Sequence, residues 1–170
     1  VTGAPEPEIA LRQRKRLVPR FMPWARSGQL AMPSAEDYCL EPAQRGAIDQ
    51  LHLANAEVLP PSPGYVQVRV EAAGLNFRDV LNALGLYPGD PGPIGGEMAG
   101  VVSAVGTGVE EFRVGQRVFG FAPGAFASHV NAPFLFLAPQ PARLSAVEAA
   151  TTPAAVLTAG LAFEWAKPNH

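Results

Sequence analysis

The sequence predicts a mainly β fold with a few short helices (α+β), arranged as a barrel or sandwich. Short apolar runs follow one another closely and are separated by turns rich in glycine and proline, of which the 170 residues include 17 and 18. Val66, Val68 and Val70 alternate with polar residues, as in a half-buried strand. After Pro141 the apolar period becomes helical. Residues 38–140 are therefore expected to form a strongly bent, mainly antiparallel sheet, not alternating βαβ units.

The elements follow from these runs in chain order. Turns at 42–46 and 60–64 contain proline and glycine, which preset turn dihedral angles. A short helix is expected over Asn76 to Gly85. Strands are predicted over residues 38–42, 48–58, 66–70, 101–105, 117–121, 126–131 and 134–137.

Two helical segments are predicted near the end of the sequence. Ser145 and Glu148 have the spacing of a capping box, in which the hydroxyl and the carboxylate each accept a backbone N–H at the helix start. Thr152 then serves as a second cap, with Pro153 in the first helical position, where its missing N–H costs nothing. The apolar helix that follows is expected to end at Lys167-Pro168.

Composition restricts the class of protein. The chain is 48% hydrophobic and 16% charged, so it can bury a substantial core. Its net charge of −2 gives no general attraction to nucleic acid or to an anionic membrane. The single Cys39 forms no internal disulfide and fits a reducing compartment. Without an 18-residue apolar run or a signal peptide, the sequence indicates a soluble cytoplasmic protein. The basic cluster over 12–20 indicates a linker, with a nucleic-acid or phosphate site as the alternative.

One segment identifies a family. The run VQVRVEAAG leads into LNFRDVLNALGLYPG, a Gly/Pro loop and Gly96-Glu97 before the next β run. This segment resembles the N-terminal catalytic domain of the medium-chain dehydrogenase/reductase superfamily, and is most similar to the enoyl reductase domains of polyketide synthases. The resemblance implies a GroES-like barrel over 36–144, a linker and lead-in over 1–35, and helices over 145–170 that lead to a Rossmann domain. That Rossmann half is expected to be absent from this chain.

The resemblance also implies an activity. The complete domain would reduce the 2,3 double bond of an enoyl thioester held by the phosphopantetheine of an acyl carrier protein, with NADPH as hydride donor and neighbouring synthase domains as partners. This chain alone is expected to be inactive, because the glycine-rich turn that binds the pyrophosphate belongs to the Rossmann half. Two alternatives stay open, a free-standing quinone oxidoreductase and a non-catalytic structural remnant.

Three site residues are implied by the resemblance. Tyr87 corresponds to a catalytic tyrosine that protonates the enolate at its α-carbon, and is otherwise a loop anchor against Pro88. Asn76 corresponds to a residue beside the nicotinamide, and as asparagine it is also a good helix cap. Thr158 corresponds to a hydroxyl that faces the nicotinamide, and is otherwise a mid-helix threonine bonded to the preceding turn.

No metal site is expected. Zinc-dependent members of the superfamily carry cysteine and histidine where this chain has Asn76 and Gly96, and the three histidines lack ligand spacing. Glu97 is therefore expected to be a structural partner of a buried amide or of Arg78. The pair Arg78-Asp79 is expected to be an ion pair or a charge at the helix start.

Overall fold

The computed structural model describes residues 10–12, 15–17 and 30–166. The first two strands, β1 (Ala10–Arg12) and β2 (Lys15–Leu17), pair with each other in antiparallel register. The rest of the basic lead-in and the predicted helix stop at Lys167-Pro168 lie outside the described residues.

An antiparallel five-stranded sheet in the order β8-β5-β6-β7-β9 forms the body of the fold. β3 and β4 pair as a separate antiparallel ribbon, which an isolated bridge between Cys39 and Ala127 joins to the rest. The predicted mainly β fold is confirmed. The strands are β3 (Tyr38–Pro42), β4 (Leu51–Asn55), β5 (Tyr65–Gly74), β6 (Glu97–Val105), β7 (Arg117–Phe121), β8 (His129–Pro133) and β9 (Leu137–Pro139). The helices are α1 (Phe77–Ala83), α2 (Ala146–Ala150) and α3 (Pro153–Ala166).

The core lies against the long strands β5 and β6. Val66, Val68, Met98 and Val102 are buried there, which agrees with the alternation in the sequence. Gln67 departs from that alternation, because it is buried beside the two valines. Its side chain lies on the face of β5 opposite to Val66 and Val68, where its nitrogen donates to the Leu59 carbonyl at 2.9 Å and its oxygen accepts the Ser103 hydroxyl at 2.9 Å.

Four strand predictions need correction. Residues 48–58 form a strand only over Leu51–Asn55, after a 3₁₀ turn, and the strand expected over 126–131 begins at His129. Residues 134–137 were expected to form a strand, but Phe134–Phe136 is a 3₁₀ turn and β9 begins at Leu137. β8 ends at Pro133, which pairs with Tyr65, and the N–H of Phe134 donates to the Gly64 carbonyl just before β5. β6 also begins at Glu97 and not at Val101, because its first residues pair with the end of β5.

The helix starts were predicted in part. The capping box is confirmed, since the Glu148 carboxylate accepts the Ser145 N–H at 2.8 Å and the Glu148 N–H donates to the Ser145 hydroxyl at 3.3 Å. Pro153 is the first residue of α3, as expected. The side chain of Thr152 does not cap α3, however, because its hydroxyl donates backward to the carbonyl of Ala149. No helix in the described part of the chain is long and apolar enough to cross a membrane.

Candidate active site

A single carboxylate joins three elements at one end of the sheet. Glu97 opens β6 and is 4% exposed. One of its oxygens accepts the side-chain N–H of Asn76 at 2.8 Å, and the other accepts the backbone N–H of Ala154 at 2.7 Å. Ala154 is the second residue of α3, where free amides and the helix dipole favour an anion. Glu97 is thus the partner of an amide, one of the two roles expected, and it replaces Thr152 as the cap of α3.

The close approach of β5 to Glu97 requires a glycine. Gly74 pairs with Glu97 across the sheet. A Cβ on Gly74 would lie 2.6 Å from the Glu97 side chain and 2.6 Å from the carbonyl oxygen of Ala150. Any side chain at position 74 would therefore displace the carboxylate or the end of α2.

A second buried carboxylate fixes the start of α1. Asn76 is the N-cap residue, and its N–H donates to Asp79 at 2.9 Å. The other oxygen of Asp79 accepts the N–H of Gly95, also at 2.9 Å. Asp79 is thus a helix-start charge, and no ion pair with Arg78 is present among the described residues. Gly95 has φ of +97° and lies against Phe126, so the loop before β6 fits only a glycine there.

Tyr87 lies half-buried in the loop after α1. Asn82 holds this loop, because its side-chain nitrogen donates to the Gly92 carbonyl at 3.1 Å while its oxygen accepts from the side chain of Arg45. The guanidinium carbon of Arg78 lies 5.0 Å from the centre of the Tyr87 ring, within the range of a cation–π contact. The phenol therefore faces an arginine, in addition to its neighbour Pro88.

Two grooves border α3. The α3 groove, of about 530 Å³, has a wall of small side chains from α3, with Gly74, Asn76 and Glu97 opposite. Thr158 is exposed on the same wall, so Asn76 and Thr158 share one groove. The Arg78 groove, of about 670 Å³, borders the start of α3 and includes Arg78 and Gly96, which are close in the chain to Asn76 and Glu97 of the α3 groove. Its remaining lining residues are Phe119, Gly120, Phe121, Pro123, Leu135, Phe136, Leu137, Ala138, Pro153 and Leu157.

Titratable groups elsewhere are engaged in local contacts. Asp37 accepts from the Ser128 hydroxyl at 2.9 Å and lies 2.7 Å from the His129 ring, and these contacts lower the pKa of Asp37. Burial, with a smaller effect of Glu41, raises the pKa of the Cys39 thiol. Among the described residues, no three His, Cys, Asp or Glu side chains converge as metal ligands would.

The expected helix cap at Asn76 and the expected contact of Glu97 with an amide are observed, but sequence reasoning missed Asp79 as a buried anchor, Asn82 and the Arg78 groove. The segment NFRDVLN contains all three anchoring polar residues at helical spacing, so a helix with an unusually polar buried face was the available signal.

Comparison with known proteins supports the assignment of the fold. Residues 62–142 match the alcohol dehydrogenase GroES-like domain family. The spectinabilin polyketide synthase system protein NorB of Streptomyces orinoci is 43% identical over 157 residues, or 91% of this chain and 7% of that protein. The solved CurK enoyl reductase is 34% identical with a TM-score of 0.70, over 74% of this chain and 41% of that one. The Escherichia coli quinone oxidoreductase, solved with NADPH, is 32% identical with a TM-score of 0.68, over 74% of this chain and 40% of that one.

The chain belongs to the medium-chain dehydrogenase/reductase superfamily, of which it contains the GroES-like part. Within that superfamily it is similar to enoyl reductases and to polyketide synthases. The chain spans about two fifths of the matched solved structures and less than a tenth of the matched synthase protein.

The described residues fit one end of a nicotinamide cofactor. The contact with Glu97 uses one N–H of the Asn76 amide and sets its direction, and the second N–H is left to donate to a ligand. Thr158 adds a hydroxyl to the same groove. The described residues do not supply the phosphate end, because Gly95-Gly96 leads into β6 and Gly106 leads into a turn, so neither opens a helix.

Proposed function

We propose that this chain is the GroES-like part of an enoyl reductase domain, which reduces the 2,3 double bond of a carrier-protein-bound enoyl thioester with NADPH. The observation that carries the proposal is the α3 groove, which Asn76, oriented by a buried carboxylate, lines together with Thr158. The similarity to NorB and to the CurK enoyl reductase supports the same function.

Each residue has a defined task in this proposal. NADPH, when bound, supplies a hydride to the β-carbon of the enoyl group. Asn76 and Thr158 orient the nicotinamide end by hydrogen bonds, so that the reacting carbons lie in line. Tyr87 then donates a proton to the α-carbon. A phenol has an ordinary pKa of about 10, and an enolate is basic enough to take its proton.

The proposed partners match the exposed surface of α3. Val156, Leu157, Leu161 and Phe163 are each more than half exposed on this helix. A contiguous apolar surface of this kind is typical of a protein interface. We assign it to the Rossmann half of the domain or to a neighbouring synthase domain. The carrier protein presents the substrate, and the whole acts in the cytoplasm.

A quinone oxidoreductase is the second candidate. The likeness to the Escherichia coli enzyme favours it. Leu81, at a position where related quinone oxidoreductases carry tyrosine, favours an acyl substrate instead. A remnant with a structural role would share the fold and lack both activities.

The test compares two substrates on the complete domain that contains this sequence. NADPH oxidation is followed with crotonyl-pantetheine thioester and with 1,4-benzoquinone, for the natural sequence and for Asn76→Ala. Thioester reduction that Asn76→Ala weakens, with a raised Kd for NADPH, supports the proposal. Preference for the quinone supports the second candidate, and inactivity on both substrates supports the structural remnant.

A further inference from the structure

The Arg78 groove combines one cation with an apolar wall. Its lining is mostly aromatic and aliphatic, and the exposed guanidinium of Arg78 is its charged group. Gly96 leaves the floor open, since a Cβ built there has no heavy atom within 4 Å. A groove of this composition fits a ligand with an apolar chain and a single anionic oxygen.

The guanidinium is held in place but not neutralised. One of its N–H groups donates to the Pro91 carbonyl at 3.1 Å, and its face lies over the ring of Tyr87. No carboxylate pairs with Arg78 among the described residues. Because a guanidinium has five N–H donors, four are left for a ligand. The charge is thus oriented in advance toward the groove.

We propose that Arg78 is a catalytic residue that binds the thioester oxygen of the substrate, whose acyl chain lies in the Arg78 groove. This inference rests on the proposed function. Hydride addition to the β-carbon moves the electron pair of the double bond toward the thioester oxygen, which becomes the enolate oxygen. When the α-carbon is protonated, the carbonyl re-forms. Arg78 stabilises the oxygen while it is charged, and Tyr87, whose ring centre lies 5.0 Å from the guanidinium carbon, is the proton donor of the proposed function.

The test measures binding of an anionic analogue without turnover. Octanoate carries a charged oxygen on an apolar chain, and octanamide is its neutral counterpart. Both are titrated calorimetrically into the complete domain with its natural sequence and into Arg78→Met. We expect octanoate to bind about 10- to 100-fold more weakly to Arg78→Met, because a charge-assisted hydrogen bond is lost, and octanamide to bind equally to both. Arg113→Met, which removes an exposed guanidinium in a turn, is the matched control.

Turnover supplies the second measurement. Arg78→Met should lower kcat for crotonyl-pantetheine about 100-fold while the Kd for NADPH stays unchanged, and Arg78→Lys should recover part of that loss. Gly96→Val keeps Arg78 but fills the floor of the groove, so it should weaken octanoate and octanamide alike.

Octanoate affinities within twofold for the natural sequence and Arg78→Met would overturn the inference, as would a rise in the Kd for NADPH that accounts for the whole loss of turnover. If the natural domain reduces no thioester, the proposed function fails. The octanoate titration still decides whether Arg78 binds an anionic oxygen, because it requires no hydride transfer.

Discussion

The side-chain amide of Asn76 donates to the carboxylate of Glu97 at 2.8 Å, across 21 residues of sequence. The same carboxylate accepts the Ala154 N–H at the start of α3. The Glu97 carboxylate therefore orients Asn76, a candidate cofactor-binding residue, and also holds α3, which forms the opposite wall of the groove. Folding and site geometry depend on the same two hydrogen bonds.

Glu97→Gln should destabilise the protein by about 1–3 kcal/mol, because one end of the new amide is an N–H that faces another donor. Chemical denaturation compares it with the natural sequence. Glu57→Gln, at an exposed glutamate, is the control and should change stability by less than about 0.5 kcal/mol. Equal effects of the two substitutions would contradict the role given to Glu97.

Gly74→Ala should also destabilise, by about 1–3 kcal/mol, because the added methyl group overlaps Glu97 and the end of α2. Gly160→Ala provides the opposite case, since that glycine lies within α3 and a Cβ there meets no atom within 4 Å. It should stabilise by about 0.5–1 kcal/mol through helix propensity. Thermal unfolding of both variants measures whether stability falls for Gly74→Ala and rises for Gly160→Ala. A Gly74→Ala protein as stable as the natural sequence would refute the close contact.

Tyr87→Phe and Tyr87→Val should alter protonation with little loss of fold. The phenol can donate a proton and neither replacement can, whereas hydride transfer depends on the orientation of the cofactor. We expect slower protonation or a changed α-methyl configuration when the complete domain reduces a 2-methyl-enoyl thioester. Chiral analysis of the product is the measurement, with Tyr65→Phe as control. An unchanged configuration and rate in both variants would leave Tyr87 a packing residue.

Protonation of Asp37 should lower the stability of the folded protein at acidic pH. The hydrogen bond from Ser128, and then the contact with His129, lower the pKa of Asp37 below its usual 3.8. Its contribution is therefore complete above that value and is lost as pH falls through the lower pKa of the folded state. Melting temperature measured from pH 5 to pH 2 should decline less steeply for Asp37→Asn than for the natural sequence. Asp49→Asn is the control and should follow the natural curve. Some decline should persist in Asp37→Asn. Protonation of Glu148 is expected to contribute to it, because hydrogen bonds with Ser145 also lower the pKa of Glu148.

The parts of the fold that sequence predicted are those with a local cause. The alternation of Val66, Val68 and Val70 follows from the strand period, and the capping box at Ser145 involves residues three apart. The errors have distant causes. Thr152 is a good cap by composition, but Glu97 occupies the α3 terminus from 57 residues away. Gln67 was expected to be exposed because it is polar. It is buried, because its side-chain amide donates a hydrogen bond to the carbonyl of Leu59.

The candidate site shows the same division. The resemblance indicated Asn76, Thr158 and Tyr87, and the fold brings the first two into one groove. The contact of Arg78 with Tyr87 depends on how the loop after α1 folds back, which Asn82 and Gly92 determine. The spacing of residues in the sequence does not predict how this loop folds back. The Arg78 groove could therefore be recognised only in the three-dimensional structure.

Because α3 is anchored at its first turn, a small change in its direction there produces a larger displacement at its far end. Its 14 residues extend about 21 Å at 1.5 Å per residue, and most of that length is exposed. A tilt of about 10° at Ala154 would move the far end by about 3 Å. Catalytic geometry tolerates errors of about 0.5 Å, so a tilt of only one or two degrees is significant for anything aligned by the far end. One buried carboxylate thus sets the angular precision with which the barrel positions whatever α3 carries.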